Sequence, residues 1–246
     1  MRGTGDDETN TSDLRRSSVG RRDGELAVIA SVELFTTWAL VGALIATLIG
    51  RAARRHEPAV PSWQIPVQIL TTAVLFATLA WRLGSSLVLF PPSWLAATGV
   101  PLAAIDLRIR RLPDRLVLPS YLAIPGLAAL TTLTGTDPTV LVRAALGMVA
   151  LLAFYGLLYT RFPGQLGGGD VKLAGPIGFL LAWQSWSALL AGTLLTWVLA
   201  TLAVLLTTVS RLRTGDQSLP LGPFLVGAAL VTTLLLPWDL GAVPRP

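Results

Sequence analysis

Few residues in this sequence can do chemistry, and two of them are aspartates placed beside apolar neighbours. Asp106 follows Ala103, Ala104 and Ile105 and opens the stretch "DLRIRRLPD", whereas Asp170 follows Gly167, Gly168 and Gly169 and precedes Val171 and Lys172 in "GQLGGGDVKLAGPIG". Two carboxylates that share a site do not readily ionise together, so one keeps a proton while the other serves as a base. The ionised carboxylate can take a proton from water as it attacks an amide carbonyl. The protonated one can polarise the carbonyl oxygen and then assist the leaving amine. That is the chemistry of an aspartic peptidase, and because the titration belongs to the pair, neither aspartate receives a fixed acid or base role. The sequence has no cysteine, which removes disulfides, a thiol nucleophile and Cys-ligated zinc, and its single histidine, His56, sits in a basic loop. No metal site and no cofactor are expected.

The elements that must position such a pair are membrane helices. Of 246 residues, 52% are hydrophobic and 13% charged, and the mean hydropathy is +0.64. Crossing a bilayer takes about 20 apolar residues, and the chain supplies such runs repeatedly. The expected fold is an all-α polytopic bundle of 7–8 transmembrane or membrane-embedded helices. The spans are expected near Leu26–Ile49, Ile65–Trp81, Ser85–Ile105, Asp114–Leu133, Thr139–Tyr159, Asp170–Ala182, Ser185–Val209 and Leu221–Leu236. The third contains Pro91, Pro92 and Pro101 and is expected to be bent or irregular. Pro113 suits the first turn of the fourth, with Asp114 facing the positive end of the helix dipole, and Arg143 is placed to snorkel. Residues 1–25 read as a disordered polar tail, 26–240 as one membrane domain and 241–246 as a short tail. The first span lacks a small-x-small cleavage site and is expected to stay as a helix rather than leave as a signal peptide.

Loop charge sets the orientation. Arg51, Arg54, Arg55, Arg108, Arg110, Arg111, Arg115, Arg161, Arg211 and Arg213 fall on one side, and the intervening loops carry only Arg82. By the positive-inside rule that side is cytoplasmic and the N-terminus lies outside, although Arg15, Arg16, Arg21 and Arg22 run against this. The dispersed arginines fit topology and lipid contact rather than a nucleic-acid stripe, so lipids are expected partners and nucleic acid is not. Asp106 ends the third span and Asp170 begins the sixth. With one span out and one back between them, both carboxylates return to the same face and depth. A carboxylate at the bilayer centre costs about 2.5–3.5 kcal/mol and less near the interface. The three glycines are expected to give irregular backbone and close approach to a substrate, which is tolerable at this depth only when buried in protein or lining a wet cavity.

"IDLRIRRLPD" and "GGGDVKLAGPIG" together resemble the type IV prepilin leader peptidases, which carry one aspartate ahead of a basic stretch ending in Ile/Leu-Pro-Asn/Asp and a second within Gly-x-Gly-Asp-x-Lys. The resemblance runs from about Arg82 to Gly227 and includes "RLG" and "LPLGPFLVGA", which is similar to the family's Pro-x-Gly-Pro-Phe segment. It implies that Asp106 and Asp170 are the catalytic pair. Gly167, Gly169 and Lys172 match the second motif, and Pro113 the end of the first. It also implies cleavage on the cytoplasmic side of a prokaryotic cell membrane, after a glycine preceding the hydrophobic helix of a prepilin or pseudopilin precursor, the expected partner. Many bacterial members also N-methylate the new amino terminus and carry paired CxxC zinc ligands between the first two spans. Here that loop, "RAARRHEPAVPSWQI", has no cysteine, which puts methyl transfer in doubt and leaves proteolysis untouched.

Each feature also has a plainer reading. "GGGDVK" alone could be an interfacial turn with Asp170 capping a helix and Lys172 snorkelling. It is no phosphate loop, since Leu173 stands where the Walker pattern needs Ser or Thr. Asp106 alone could pair with Arg108, Arg110 or Arg111, and Asp114 reads as a structural early-helix carboxylate. Pro220 and Pro223 mark the start of the last helix, and Trp63, Trp94, Trp183, Trp186 and Trp238 read as interfacial anchors. The rival function is a small transporter that binds a cation or relays protons through intramembrane aspartates. It gives no account of the paired motifs. An inactive assembly scaffold gives no reason for keeping both aspartates.

Overall fold

The computed structural model describes residues 29–51, 63–110, 112–209 and 220–240. The stretches read as tails (1–25 and 241–246), the cysteine-free loop at 52–62, and Arg111, Arg211 and Arg213 lie outside the described residues. What is described is helical: α1 (Ile29–Arg51), α2 (Gln64–Leu83), α3 (Phe90–Ile109), α4 (Asp114–Val117), α5 (Ser120–Leu130), α6 (Thr139–Arg161), α7 (Gly168–Gln184), α8 (Trp186–Val209) and α9 (Gly222–Leu235). Six helical segments among the described residues are long and apolar enough to cross a membrane, with α4 and α5 counted as one. At 17 and 14 residues, α7 and α9 are shorter.

Several local departures from expectation trace to proline. The irregularity expected in the third span is confined to a 3-10 turn, Leu87–Leu89, after which α3 runs unbroken. Pro91 and Pro92 fall in its first turn, where a missing N–H costs nothing. The helix continues past Ile105 to Ile109, so Asp106 lies in its last turn rather than beyond it. It stops at Arg110, whose left-handed backbone (φ 52°) returns its N–H to the Asp106 carbonyl at 3.0 Å. The fourth span is not one helix: α4 gives way to a turn at Leu118–Pro119 before α5, because Pro119 can donate no helix hydrogen bond. Pro113 does not open that span from inside; it sits just before α4, its carbonyl accepting from Leu116 and Val117.

The aspartate-bearing helices are the interior ones. The most apolar stretch of α3 is 72% buried, against 11% for α1, 22% for α8 and 28% for α2 and α6, whose outer faces (Leu40, Leu44, Leu70, Val74, Leu146, Leu194, Val198) suit lipid. Every residue of α7 from Leu173 to Gln184 is buried, as expected of a helix that is apolar all round. Its seam with α6 is built on glycine. A Cβ at Gly147 would lie 2.8 Å from the Gly178 carbonyl, and one at Gly178 would lie 2.9 Å from Leu151, so any side chain would push the helices apart. On the α5 side, Pro176 of α7 leaves the Lys172 carbonyl without its helical donor, and Tyr121 Oη supplies one at 2.6 Å. Against α3, Gly99 lets Val226 of α9 approach.

The end of the bundle remote from the aspartates is tied by Arg143, which does not snorkel. Its Nε donates to the Ala182 carbonyl at 2.7 Å, and its Nη2 donates to the carbonyls of Trp183 (2.8 Å) and Asp239 (2.6 Å). Nη1 bonds the Asp239 carboxylate at 3.2 Å. One guanidinium thereby satisfies the last-turn carbonyls of α7, which no helical N–H can reach. One of the expected interfacial anchors is packed differently: Trp183 is fully buried with Trp238 edge-on against it.

Candidate active site

Asp170 is held by the start of its own helix. Gly167 is the N-cap, in extended conformation, and Asp170 stands three residues on, where its carboxylate reaches back to the Gly167 amide. This is one half of a capping box, and a Cβ at Gly167 would lie 3.0 Å from Asp170 Oδ2. The plain reading, a helix-capping aspartate, therefore holds for one oxygen. The other, Oδ1, is buried and has no hydrogen-bond partner among the described residues.

The glycines differ from expectation. Gly168 and Gly169 are helical and Gly167 has φ −76°, so none needs a conformation closed to other residues; the positive φ in this stretch belongs to Gly164. What Gly169 provides is contact: a Cβ there would meet Leu112 Cβ at 2.8 Å. The chain leaving Asp106 is thus packed directly on the first turn carrying Asp170. Lys172 secures the same junction by donating to both oxygens of Asp114, at 2.8 and 2.9 Å. It anchors α7 to α4, and Asp114 is the carboxylate it holds.

Asp106 and Asp170 come together around a residue not singled out as a site residue in the sequence. Gly222, the first residue of α9, donates its amide to Asp106 Oδ2 at 3.0 Å. Asp170 lies close enough to feel both that amide and the Asp106 charge. Arg110 adds a positive charge near Asp106, whereas Arg108 turns aside to stack over Trp63, 5.6 Å from the ring centroid. The N-terminus of α9 is therefore aimed at the pair, where its dipole and free amides favour negative charge. A Cβ on Gly222 would lie 2.8 Å from Asp106 Oδ2, so only glycine brings the amide this close. The available signal was "LPLGPF": it marks Gly222 as part of a motif but reads equally as a helix start. Both aspartates are almost wholly enclosed, at 3% and 5% exposed.

A polytopic helical membrane protein with a buried aspartate pair at one end of its bundle is the class that fold and site define. The family model for the type IV leader peptidase family matches residues 90–210, a range that includes both aspartates. The chain belongs to that family, one of aspartic peptidases. It is similar to proteins named prepilin leader peptidase/N-methyltransferase from three bacteria. It is 30% identical to that of Bacillus subtilis (strain 168), over 70% of this chain and 66% of the relative. The identity is 28% to that of Xanthomonas campestris pv. campestris, over 76% and 64%, and 31% to that of Pseudomonas putida, over 70% and 59%. The chain thus spans a little under two thirds of the length of these relatives. No solved structure matches it.

Proposed function

We propose that this protein is a membrane-embedded aspartic endopeptidase that removes the leader of type IV prepilin-like or pseudopilin precursors, with Asp106 and Asp170 as its catalytic pair. The observation that carries the reading is the convergence of two enclosed carboxylates from different helices on the Gly222 amide. One carboxylate, ionised, takes a proton from water as the water oxygen bonds to the scissile carbonyl carbon; the other gives its proton to the carbonyl oxygen. The tetrahedral intermediate then collapses. The C–N bond breaks, the nitrogen takes up the proton held by the first carboxylate, and the second recovers its own from the intermediate's hydroxyl. Leader acid and free amine leave, and the site returns to its starting protonation.

The arginine-rich loops support a site at the cytoplasmic face of the cell membrane, with the N-terminus outside. Because the chain contains no cysteine, single cysteines introduced at each end and labelled from one side test this orientation directly. N-methylation of the product is not part of the proposal, since the cysteines of the zinc-binding insert are absent. A mature pilin heavier by one methylene in mass spectrometry would overturn that point.

The deciding experiment is co-expression with a prepilin from the same genome, following precursor size. Asp106→Ala and Asp170→Ala are each expected to abolish processing and Asp114→Ala to preserve it. Processing by both of the first two variants would refute the mechanism. A dead Asp114→Ala at normal protein level would move the first catalytic residue.

A further inference from the structure

Tyr155 is a buried polar side chain that neither motif contains. It lies on the face of α6 that packs against α7, and the two helices run antiparallel in a register fixed by close approaches: Gly147 against Gly178, Leu151 against Gly178, and Tyr159 against Gly168. Tyr155 falls between Leu151 and Tyr159 at helical spacing, so it meets α7 between Gly178 and Gly168, at the turn carrying Asp170. The Asp170 carboxylate is the charged group that acts on its hydroxyl. The ring is fully buried and stacks parallel to Trp197 of α8, at 6.1 Å and 10°, with Phe154 edge-on against it. The Trp197 side chain also acts on the phenol oxygen but makes no hydrogen bond of full geometry with it, and Oη has no hydrogen-bond partner among the described residues. Asp170 Oδ1 is in the same condition.

A buried hydroxyl without a partner costs stability, and a phenylalanine would fill the same space without that cost. Two such atoms from facing helices, one of them on a catalytic carboxylate, form a polar patch in an otherwise apolar interior. The aromatic stack fixes the phenol's direction, so its O–H is a donor organised before substrate arrives.

We infer that Tyr155 is a third polar member of the active site, donating its hydroxyl hydrogen to the scissile carbonyl oxygen as that oxygen gains negative charge beside Asp170. The role rests on the peptidase reading above. The amide plane brings its oxygen to the patch, the protonated carboxyl and the phenol share the developing charge, and the phenol keeps its proton throughout.

Tyr155→Phe isolates the claim, because it keeps the ring and its stacking and removes one atom. The purified full-length variant in detergent is expected to unfold at or above the wild-type temperature. Its kcat on precursor should fall about 100-fold at unchanged KM. A precursor peptide carrying a hydroxyethylene isostere at the cleavage site should lose affinity by a factor similar to the fall in kcat/KM, while the cleaved leader peptide binds as before. That split separates a transition-state contact from a packing role. Wild-type kcat in Tyr155→Phe, or equal loss of affinity for isostere and leader, would overturn the inference. Wild-type and Asp170→Ala run alongside keep the two readings apart. A wild-type protein that cleaves no precursor defeats the peptidase proposal, whereas an active wild type, a dead Asp170→Ala and a fully active Tyr155→Phe defeat only the role of Tyr155.

Discussion

The two ends of this bundle treat charge in opposite ways. At one end, Arg143 is surrounded by acceptors: three main-chain carbonyls lie within 2.8 Å of its guanidinium, and a carboxylate lies at 3.2 Å. The neutral Trp183 Nε1 and Gln184 Oε1 are left unpaired there, but no charge in that cluster is. At the other end, two enclosed carboxylates converge on the Gly222 amide, which bonds Asp106 Oδ2 at 3.0 Å, and Asp170 Oδ1 has no hydrogen-bond partner among the described residues. A buried group left unsatisfied weakens the fold, and a buried charge does so far more than a neutral atom. The difference teaches where this molecule gives up stability and where it recovers it. The Arg143 end clamps α6, α7 and the chain after α9, and the aspartate end is held in tension by helices fixed elsewhere.

The contrast can be broken most severely at the carboxylates. Asp106→Asn or Asp170→Asn keeps the shape and removes one of the two carboxyls proposed as catalytic; precursor processing is expected to fall by about 10²–10⁴-fold, while the unfolding temperature in detergent stays level or rises. Next in size is Gly222→Ala. Its Cβ would displace Asp106 from the shared amide, and a misplacement of about 1 Å costs on the order of 100-fold in rate; kcat should drop by that order with the protein still folded. At the opposite end, Arg143→Ala should reverse the pattern. Freeing several buried carbonyls should cost about 2–4 kcal/mol of stability, measured as a lower unfolding temperature, with activity per folded molecule retained. The smallest effect belongs to the half-exposed Lys172–Asp114 pair. Asp114→Ala should cost under about 1 kcal/mol and leave processing near wild type, even though the lysine belongs to a recognisable motif.

Much of this arrangement was legible in the sequence. Long apolar runs marked the membrane spans, and counting those between Asp106 and Asp170 returned both to one end. What could not be read is whatever depends on which helices touch. Arg143 looked like a snorkelling side chain because its partners, the carbonyls of α7, lie 39 to 41 positions away and carry no sequence signal. The glycines before Asp170 suggested an unusual backbone because glycine's conformational freedom is a local property. Their actual use, the approach of Leu112 to Gly169, is tertiary. Gly222 was visible as a motif residue but not as the donor between the aspartates, since that role exists only once α9 packs on α3. Tyr155 had no signal at all, being one aromatic residue in an apolar helix. The breaks in the fourth span were legible in principle from Pro119, but the apolar run around it masked them.

The shortness of α7 and α9 has a consequence for water. At 1.5 Å per residue they reach about 25 and 21 Å, less than the roughly 30 Å of a bilayer's hydrocarbon. Both have their C-terminal ends tied at the Arg143 end, α7 through Arg143 and α9 through the Leu234 carbonyl, which accepts from Arg82 Nε at 3.1 Å. The missing length therefore falls wholly on the aspartate side. α7 is buried from Leu173 onward and α9 over most of its length, so the shortfall lies inside the bundle rather than against lipid. Interior helices that stop short on that side shorten the distance water must travel to reach the carboxylates.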